Sequence, residues 1–202
     1  MSISRAKAIQ AEAVAEAALL WPAWFDAARR LEIDAAIATL HGELDEAVAR
    51  RGPTCWQSGD CCRFEDYGHR LYVTGLEAAW FLLRHASPAS RPGQPTGTQA
   101  SREARVRLPV TNAVTAETST HATAQPACPY QHDNRCTVHA IRPMGCRVFF
   151  CEPGTEAWQR ETYERFHAQM RELHETHEIA YRYLEWRAAV EEGTWHSLGA
   201  GG

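Results

Sequence analysis

Seven cysteines confined to two short segments are the feature that most constrains how this 202-residue chain can fold. The first block holds Cys55, Cys61 and Cys62, and the second holds Cys128, Cys136, Cys146 and Cys151. Cysteines that serve as small apolar core residues would be scattered along helices, whereas these lie beside glycine, proline and arginine in segments predicted to be loops. Loops can turn several thiolates toward one ion, and nearby arginines favour the deprotonated form of the ligand. The pattern therefore predicts a metal centre, with all seven cysteines as candidate ligands.

The charge and hydropathy of the chain limit the partners and the cellular compartment that are expected for this protein. The formal net charge is -4, which argues against a general affinity for nucleic acid or for acidic membranes. No apolar run approaches the roughly 18 residues that a membrane span needs. Glu12 and Glu16 interrupt the alanine-rich start, so we do not expect a secretory signal. We therefore expect a cytoplasmic protein whose thiols stay reduced, and the odd number of cysteines also argues against a disulfide framework.

The rest of the sequence predicts a mainly α protein that forms one domain over residues 1–202, with at most short strands. Helices from its N- and C-terminal parts are expected to pack around a loop-rich cysteine centre. The predicted segments are a helical part at 4–51, a first cysteine block and helix at 55–86, a flexible insertion at 87–125, a second cysteine block at 128–153 and a long helix at 155–192. The insertion is rich in Thr, Ser, Pro and Gly, so it cannot bury enough apolar surface to offset its ordering entropy. A short strand near 106–110 is one possibility within it.

The N-terminal helices are predicted from apolar residues that recur every three or four positions. One such stripe consists of Ile33, Ile37, Leu40, Leu44 and Val48. Pro22 suits the first turn of a helix, Gly42 is a candidate break, and Gly52-Pro53 is expected to end the helix.

The later helices follow from the same reasoning. Thr74 precedes Glu77 at capping-box spacing, so a helix is expected to begin there after a short strand over 70–73. The C-terminal stripe consists of Phe166, Met170, Leu173, His177, Ala180 and Leu184. We therefore predict one continuous helix to residue 192, with His177 on its apolar face and Gly193 at its end.

The spacing of the cysteines and their neighbours resembles a known pattern. The matching stretches are Cys61-Cys62-Arg63-Phe64, Cys128-Pro129-Tyr130, Cys136-Thr137-Val138-His139 and Arg142-Pro143-Met144-Gly145-Cys146-Arg147. Together they resemble the CxxCxxCC family of zinc- or iron-chelating proteins, and they are remotely similar to the cysteine motif of flagellin lysine methylases. The resemblance implies that the two blocks meet in space and share a metal. Ser58 stands where the family has a cysteine, so this chain would hold its metal with a reduced set.

Several other residues are candidates to contribute to the centre. His139 follows Cys136 at Cys-x-x-His spacing, which makes it a possible additional ligand. Arg142 and Arg147 could pair with an acidic residue of the first block, or could hold an anionic substrate. The acidic candidates are Asp60, Glu65 and Asp66. Glu164-x-x-His167 matches half of a di-iron carboxylate motif, but the sequence has no second copy.

Three hypotheses for the centre remain open at the level of sequence. Adjacent Cys61 and Cys62 point apart in an extended chain, which suits an iron–sulfur cluster better than a single zinc ion. The second hypothesis is a structural zinc module that binds a partner protein, and the third is a metal-free thiol redox protein. Apart from the metal ion, no partner is specified, and neither nucleic acid nor membrane is expected.

Overall fold

The computed structural model describes residues 16–52, 62–63, 70–86, 128–133, 135–150 and 152–199. The α-helices are α1 (Trp21–Arg29), α2 (Leu31–Arg51), α3 (Gly75–Ala86), α4 (Met144–Val148), α5 (Glu156–Thr176) and α6 (Trp186–Gly199). The strands are β1 (Tyr72–Thr74), β2 (Gln131–His132), β3 (Arg135–Cys136) and β4 (Tyr183–Glu185), and a short 3₁₀-helix covers His139–Ile141. The prediction of a mainly α fold with short strands is confirmed. None of the described helices is both long and apolar enough to cross a membrane.

Several predicted segments lie outside the described residues. They are residues 4–15 of the helical part at 4–51, most of the first cysteine block, and the insertion at 87–125 with its possible strand near 106–110.

The chain turns sharply between α1 and α2 at Arg30, and not at Gly42. Arg30 has an extended backbone, its N–H donates to the last turn of α1, and its carbonyl accepts from the first turn of α2. It thus ends one helix and begins the next, and the turn lets α1 direct Trp21 and Trp24 into the core. Gly42 lies inside α2 without interrupting it, because a surrounding helix tolerates one glycine at a cost of about 1 kcal/mol.

Helix α2 uses the predicted apolar stripe and ends where predicted. Ile33, Ile37, Leu40 and Leu44 are buried in the core. Gly52 follows the helix in a left-handed conformation with φ of 68°, which a residue without a Cβ adopts readily.

Helix α3 begins at the predicted capping site. The Thr74 hydroxyl accepts a 3.1 Å hydrogen bond from the Glu77 N–H, as the capping pattern requires. Gly75 allows α1 to approach closely, since a Cβ at this position would lie 2.4 Å from the Trp24 ring. The strand before the helix covers residues 72–74, slightly later than predicted, and it pairs antiparallel with β4.

The single C-terminal helix predicted over 155–192 is wrong. Helix α5 ends at Thr176, Glu178 has a positive φ of 53°, and β4 precedes a separate helix α6. The cause is tertiary: β4 completes a sheet with β1, and the Trp24 indole donates a 2.7 Å hydrogen bond to the Ala180 carbonyl. The apolar periodicity of the segment indicates only a weak local preference for helix, and these tertiary contacts outweigh it.

This break reassigns two residues of the predicted helix. Within this segment His174, and not His177, lies in the core, where it is 1% exposed and donates through Nδ1 to the Ile179 carbonyl. His177 caps α5 and accepts a hydrogen bond from Arg30. Gly193 does not end a helix but lies within α6, where a Cβ would come within 2.5 Å of Leu82.

Candidate metal centre

The structure describes four of the seven candidate cysteines. Cys62 and Cys128 are buried, Cys136 and Cys146 are half-buried, and no disulfide links these four. Contrary to the prediction that the cysteines avoid regular structure, Cys136 belongs to strand β3 and Cys146 to helix α4. Cys55, Cys61 and Cys151 lie outside the described residues.

The two cysteine blocks meet through Cys62 and Cys128. The Cys128 N–H donates a 2.9 Å hydrogen bond to the Cys62 carbonyl, which ties the backbones of the two blocks together. The Cys62 side chain also hydrogen-bonds the thiols of Cys128 and Cys136. We call these three residues the thiol cluster. The prediction that the blocks come together in space is confirmed by these contacts.

The surroundings of Cys128 and Cys136 favour the thiolate form of both side chains. The hydrogen bond from the Cys62 side chain lowers the pKa of Cys128, and the same partner lowers the pKa of Cys136. The guanidinium of Arg142 adds a smaller effect in the same direction on Cys136. The buried indole N–H of Trp186 faces Cys128 and also lowers its pKa, but it falls short of hydrogen-bond geometry. A buried N–H beside sulfur can stabilise negative charge there.

A β-hairpin positions both cysteines of this part of the thiol cluster: Cys136 ends its second strand, and Cys128 precedes its first strand by three residues. The Thr137 N–H and hydroxyl both donate to the Tyr130 carbonyl at 2.9 Å, and Asp133 turns the chain with a positive φ of 47°. The Tyr130 ring packs edge-on against Phe81 of α3, with ring centres 4.9 Å apart. The hairpin is therefore anchored by aromatic packing on α3 as well as by its own hydrogen bonds.

Helix α4, which carries Cys146, is anchored by a buried carboxylate. Glu77 accepts from the Met144 N–H at 2.7 Å and from His41 Nε2 at 2.9 Å, and both side chains are nearly inaccessible. The carboxylate thus satisfies an N–H at the start of α4 that has no partner within the helix. Sequence reasoning identified Glu77 only as part of a cap for its own helix, and it missed His41 altogether.

Arg147 fixes the turn that precedes α4. Its guanidinium donates to the carbonyls of Arg142 and Ala140 at 2.8 and 2.9 Å, and it forms an ion pair with Asp45 of α2. The predicted structural role is supported for Arg147. The acidic partner is Asp45, whereas the three candidates in the first block lie outside the described residues.

His139 does not join the thiol cluster through any contact among the described residues. Its Nε2 accepts a 2.7 Å hydrogen bond from Arg142, because a guanidinium can only donate. The lone pair on Nε2 is therefore occupied in this arrangement, and His139 could bind a metal only through Nδ1 or after a rotation of its ring.

The half-motif of Glu164 and His167 lies elsewhere. His167 hydrogen-bonds the Tyr181 hydroxyl at 2.9 Å and stacks on Tyr163. The described surroundings of this histidine are thus phenolic and provide no second pair of metal-binding side chains.

The thiol cluster fits a metal through its donor chemistry but is not a complete site by itself. The described part of the chain contains no group of three His, Cys, Asp or Glu side chains already arranged to hold an ion. Soft thiolates are the donors that zinc and iron–sulfur clusters take, and both need four of them or three with another ligand. Comparisons with protein-family models, curated proteins and solved structures found no match to this chain. The resemblance to the CxxCxxCC family therefore rests on the cysteine motifs alone.

Proposed function

We propose that the thiol cluster of Cys62, Cys128 and Cys136 is the core of a metal centre that holds an iron–sulfur cluster, with zinc as the alternative ion. The observation that carries this proposal is the meeting of two sequence-distant cysteine blocks at one buried point. Cys62 and Cys128 are buried and Cys136 is half-buried beside them, and a shared metal would add metal–sulfur bonds there that contribute directly to the folding free energy.

On this proposal, further ligands come from the remaining cysteines of the two blocks. Cys61 is the chain neighbour of Cys62, and Cys151 follows Cys146 after four intervening residues. An iron–sulfur cluster would supply one-electron chemistry at this place. The protein would contribute a buried setting, the Trp186 N–H beside Cys128, and the positive charge of Arg142 near Cys136.

A metal-free thiol redox protein is the second candidate, and one contact favours it. The Cys62 side chain hydrogen-bonds both Cys128 and Cys136, so either pair is placed for oxidation. Formation of one disulfide would release two electrons and two protons, which would reduce the disulfide of a partner molecule to two thiols.

Anaerobic purification followed by elemental analysis and visible spectroscopy tests the proposal. We expect a brown protein with stoichiometric iron and sulfide, or a colourless one with stoichiometric zinc. Cys128→Ser and Cys136→Ser should each lose most of the metal. Thr137→Val is the matched control, because it removes a hydrogen bond of the same hairpin without removing a thiol.

Two results would reject the metal centre. One is wild-type protein that contains neither iron nor zinc after anaerobic purification. The other is a cysteine variant that keeps as much metal as Thr137→Val. A metal-free protein in which peptide mapping finds a disulfide from Cys62 to Cys128 or Cys136 would instead support the redox alternative.

A further inference from the structure

A cavity of about 340 Å³ lies between the β1–β4 sheet, helix α4 and the first two turns of α5. Its size is within the range of pockets that hold small molecules, roughly 300–1,000 Å³. Cys146 and Phe149 lie on one side of it, and Tyr163 and Tyr183 lie on another. We call it the Cys146 cavity. None of the residues in the thiol cluster lines it.

Aromatic rings form much of its wall. Tyr72 and Tyr183 are diagonal neighbours across β1 and β4, and their rings stack with centres 5.4 Å apart. The hydroxyls of Tyr163 and Tyr183 are 2.6 Å apart and share a hydrogen bond. Burial raises the pKa of Tyr163, so its phenol stays neutral and can act as a hydrogen-bond donor. Such walls suit a flat apolar body with a polar end.

The charges around the Cys146 cavity are mainly positive. Arg70 and Arg160 line it and are exposed, and neither forms an ion pair or a hydrogen bond with any residue that the structure describes. The carboxylate of Glu156 also lines it, but this group accepts a hydrogen bond from the Gly154 N–H at the start of α5. The positive end of the α5 macrodipole lies at the same place. An anion is therefore the ligand that this rim favours.

We propose that the Cys146 cavity binds a small organic carboxylate with an aromatic body. The carboxylate would pair with Arg160 and Arg70, and the ring would pack against Phe149 and the tyrosines. Arginine suits this role because its planar guanidinium matches a carboxylate with two parallel hydrogen bonds. The bound molecule would cover the half-buried thiol of Cys146. This proposal goes beyond the metal centre and does not depend on it.

Calorimetric titration with benzoate, phenylacetate, 3-phenylpropionate and indole-3-acetate tests the proposal. At least one of these should bind, and its neutral amide should bind at least tenfold more weakly. Arg160→Gln should weaken the carboxylate at least tenfold, which corresponds to about 1.4 kcal/mol. Arg165→Gln is the matched control, because Arg165 lies on the same helix but lines a different cavity, and this variant should bind like the wild type.

The proposal is overturned by any of three outcomes. None of the four carboxylates binds, or acid and amide bind equally well, or Arg165→Gln weakens binding as much as Arg160→Gln. Both substitutions are at exposed positions, so circular dichroism of the two variants should match the wild type, and a loss of binding can then be assigned to the lost charge.

Discussion

Replacement of Glu77 by alanine should destabilise the protein by about 3–5 kcal/mol, because two buried donors would lose their acceptor. The carboxylate is the acceptor for two buried donors, the Met144 N–H at 2.7 Å and His41 Nε2 at 2.9 Å. Each buried donor left without a partner costs about 1–3 kcal/mol. Since a domain of this kind is stable by only about 5–15 kcal/mol, the change is a large fraction of the total.

Urea unfolding of the chelated protein measures this loss, and hydrogen exchange locates it. With a slope near 2 kcal/mol per molar urea, the midpoint should fall by about 1.5–2.5 M. The amides of α4 should lose protection more than those of α2, because Glu77 satisfies the start of α4. Glu77→Gln is the control: its amide oxygen can still accept both hydrogen bonds, so it should cost only about 1 kcal/mol. A loss below about 1 kcal/mol for Glu77→Ala, or unchanged protection of α4, would refute the reasoning.

Three further predictions concern other parts of the chain. Gly193→Ala should destabilise the protein by about 1–3 kcal/mol, because the new Cβ would clash with α1 and α3. Gly42→Ala should stabilise it by about 0.5–1 kcal/mol, because nothing lies within 4 Å of the new Cβ. Equal urea midpoints for the two variants would contradict this prediction. Burial lowers the pKa of His174, so the unfolded chain binds its proton more readily. The contribution of His174 to the free energy of unfolding should therefore be constant above about pH 6.5 and fall as the pH drops below it. His174→Gln should reduce that slope, and an unchanged slope in acid denaturation would count against it. Deletion of residues 88–125 should leave the thermal midpoint and the metal content unchanged, and an aggregated, metal-free product would show that the segment is needed.

Local patterns were sufficient to predict helices whose ends have local causes. The apolar stripe of α2, its end at Gly52 and the Thr74 cap of α3 each depend on residues within one or two turns. The break after Thr176 could not be predicted in this way, because it is caused by pairing with β1 and by the indole of Trp24, both far away in sequence.

Only part of the candidate site could be predicted from the sequence. The cysteine spacing and the resemblance predicted that the two blocks would meet, and they do meet through Cys62 and Cys128. The polar residues that hold α4 in place were not predicted as partners, since the links from Glu77 to His41 and from Arg147 to Asp45 connect separate helices. A sequence signal did exist for Glu77: a carboxylate within an otherwise apolar stretch of α3 needs a buried partner.

One stripe of α3 positions both halves of the second cysteine block. Glu77, Phe81 and His85 recur at intervals of four residues, so they lie along one side of the helix. The first holds the start of α4 through Met144, and the other two pack against Tyr130 of the hairpin. The distance between the hairpin thiols and Cys146 is therefore set by a rigid helix and not by the loop between them. The hairpin and α4 each pack separately against this one helix. A loop-rich block can therefore present its thiols in a fixed arrangement, because the packing of the core sets their relative positions.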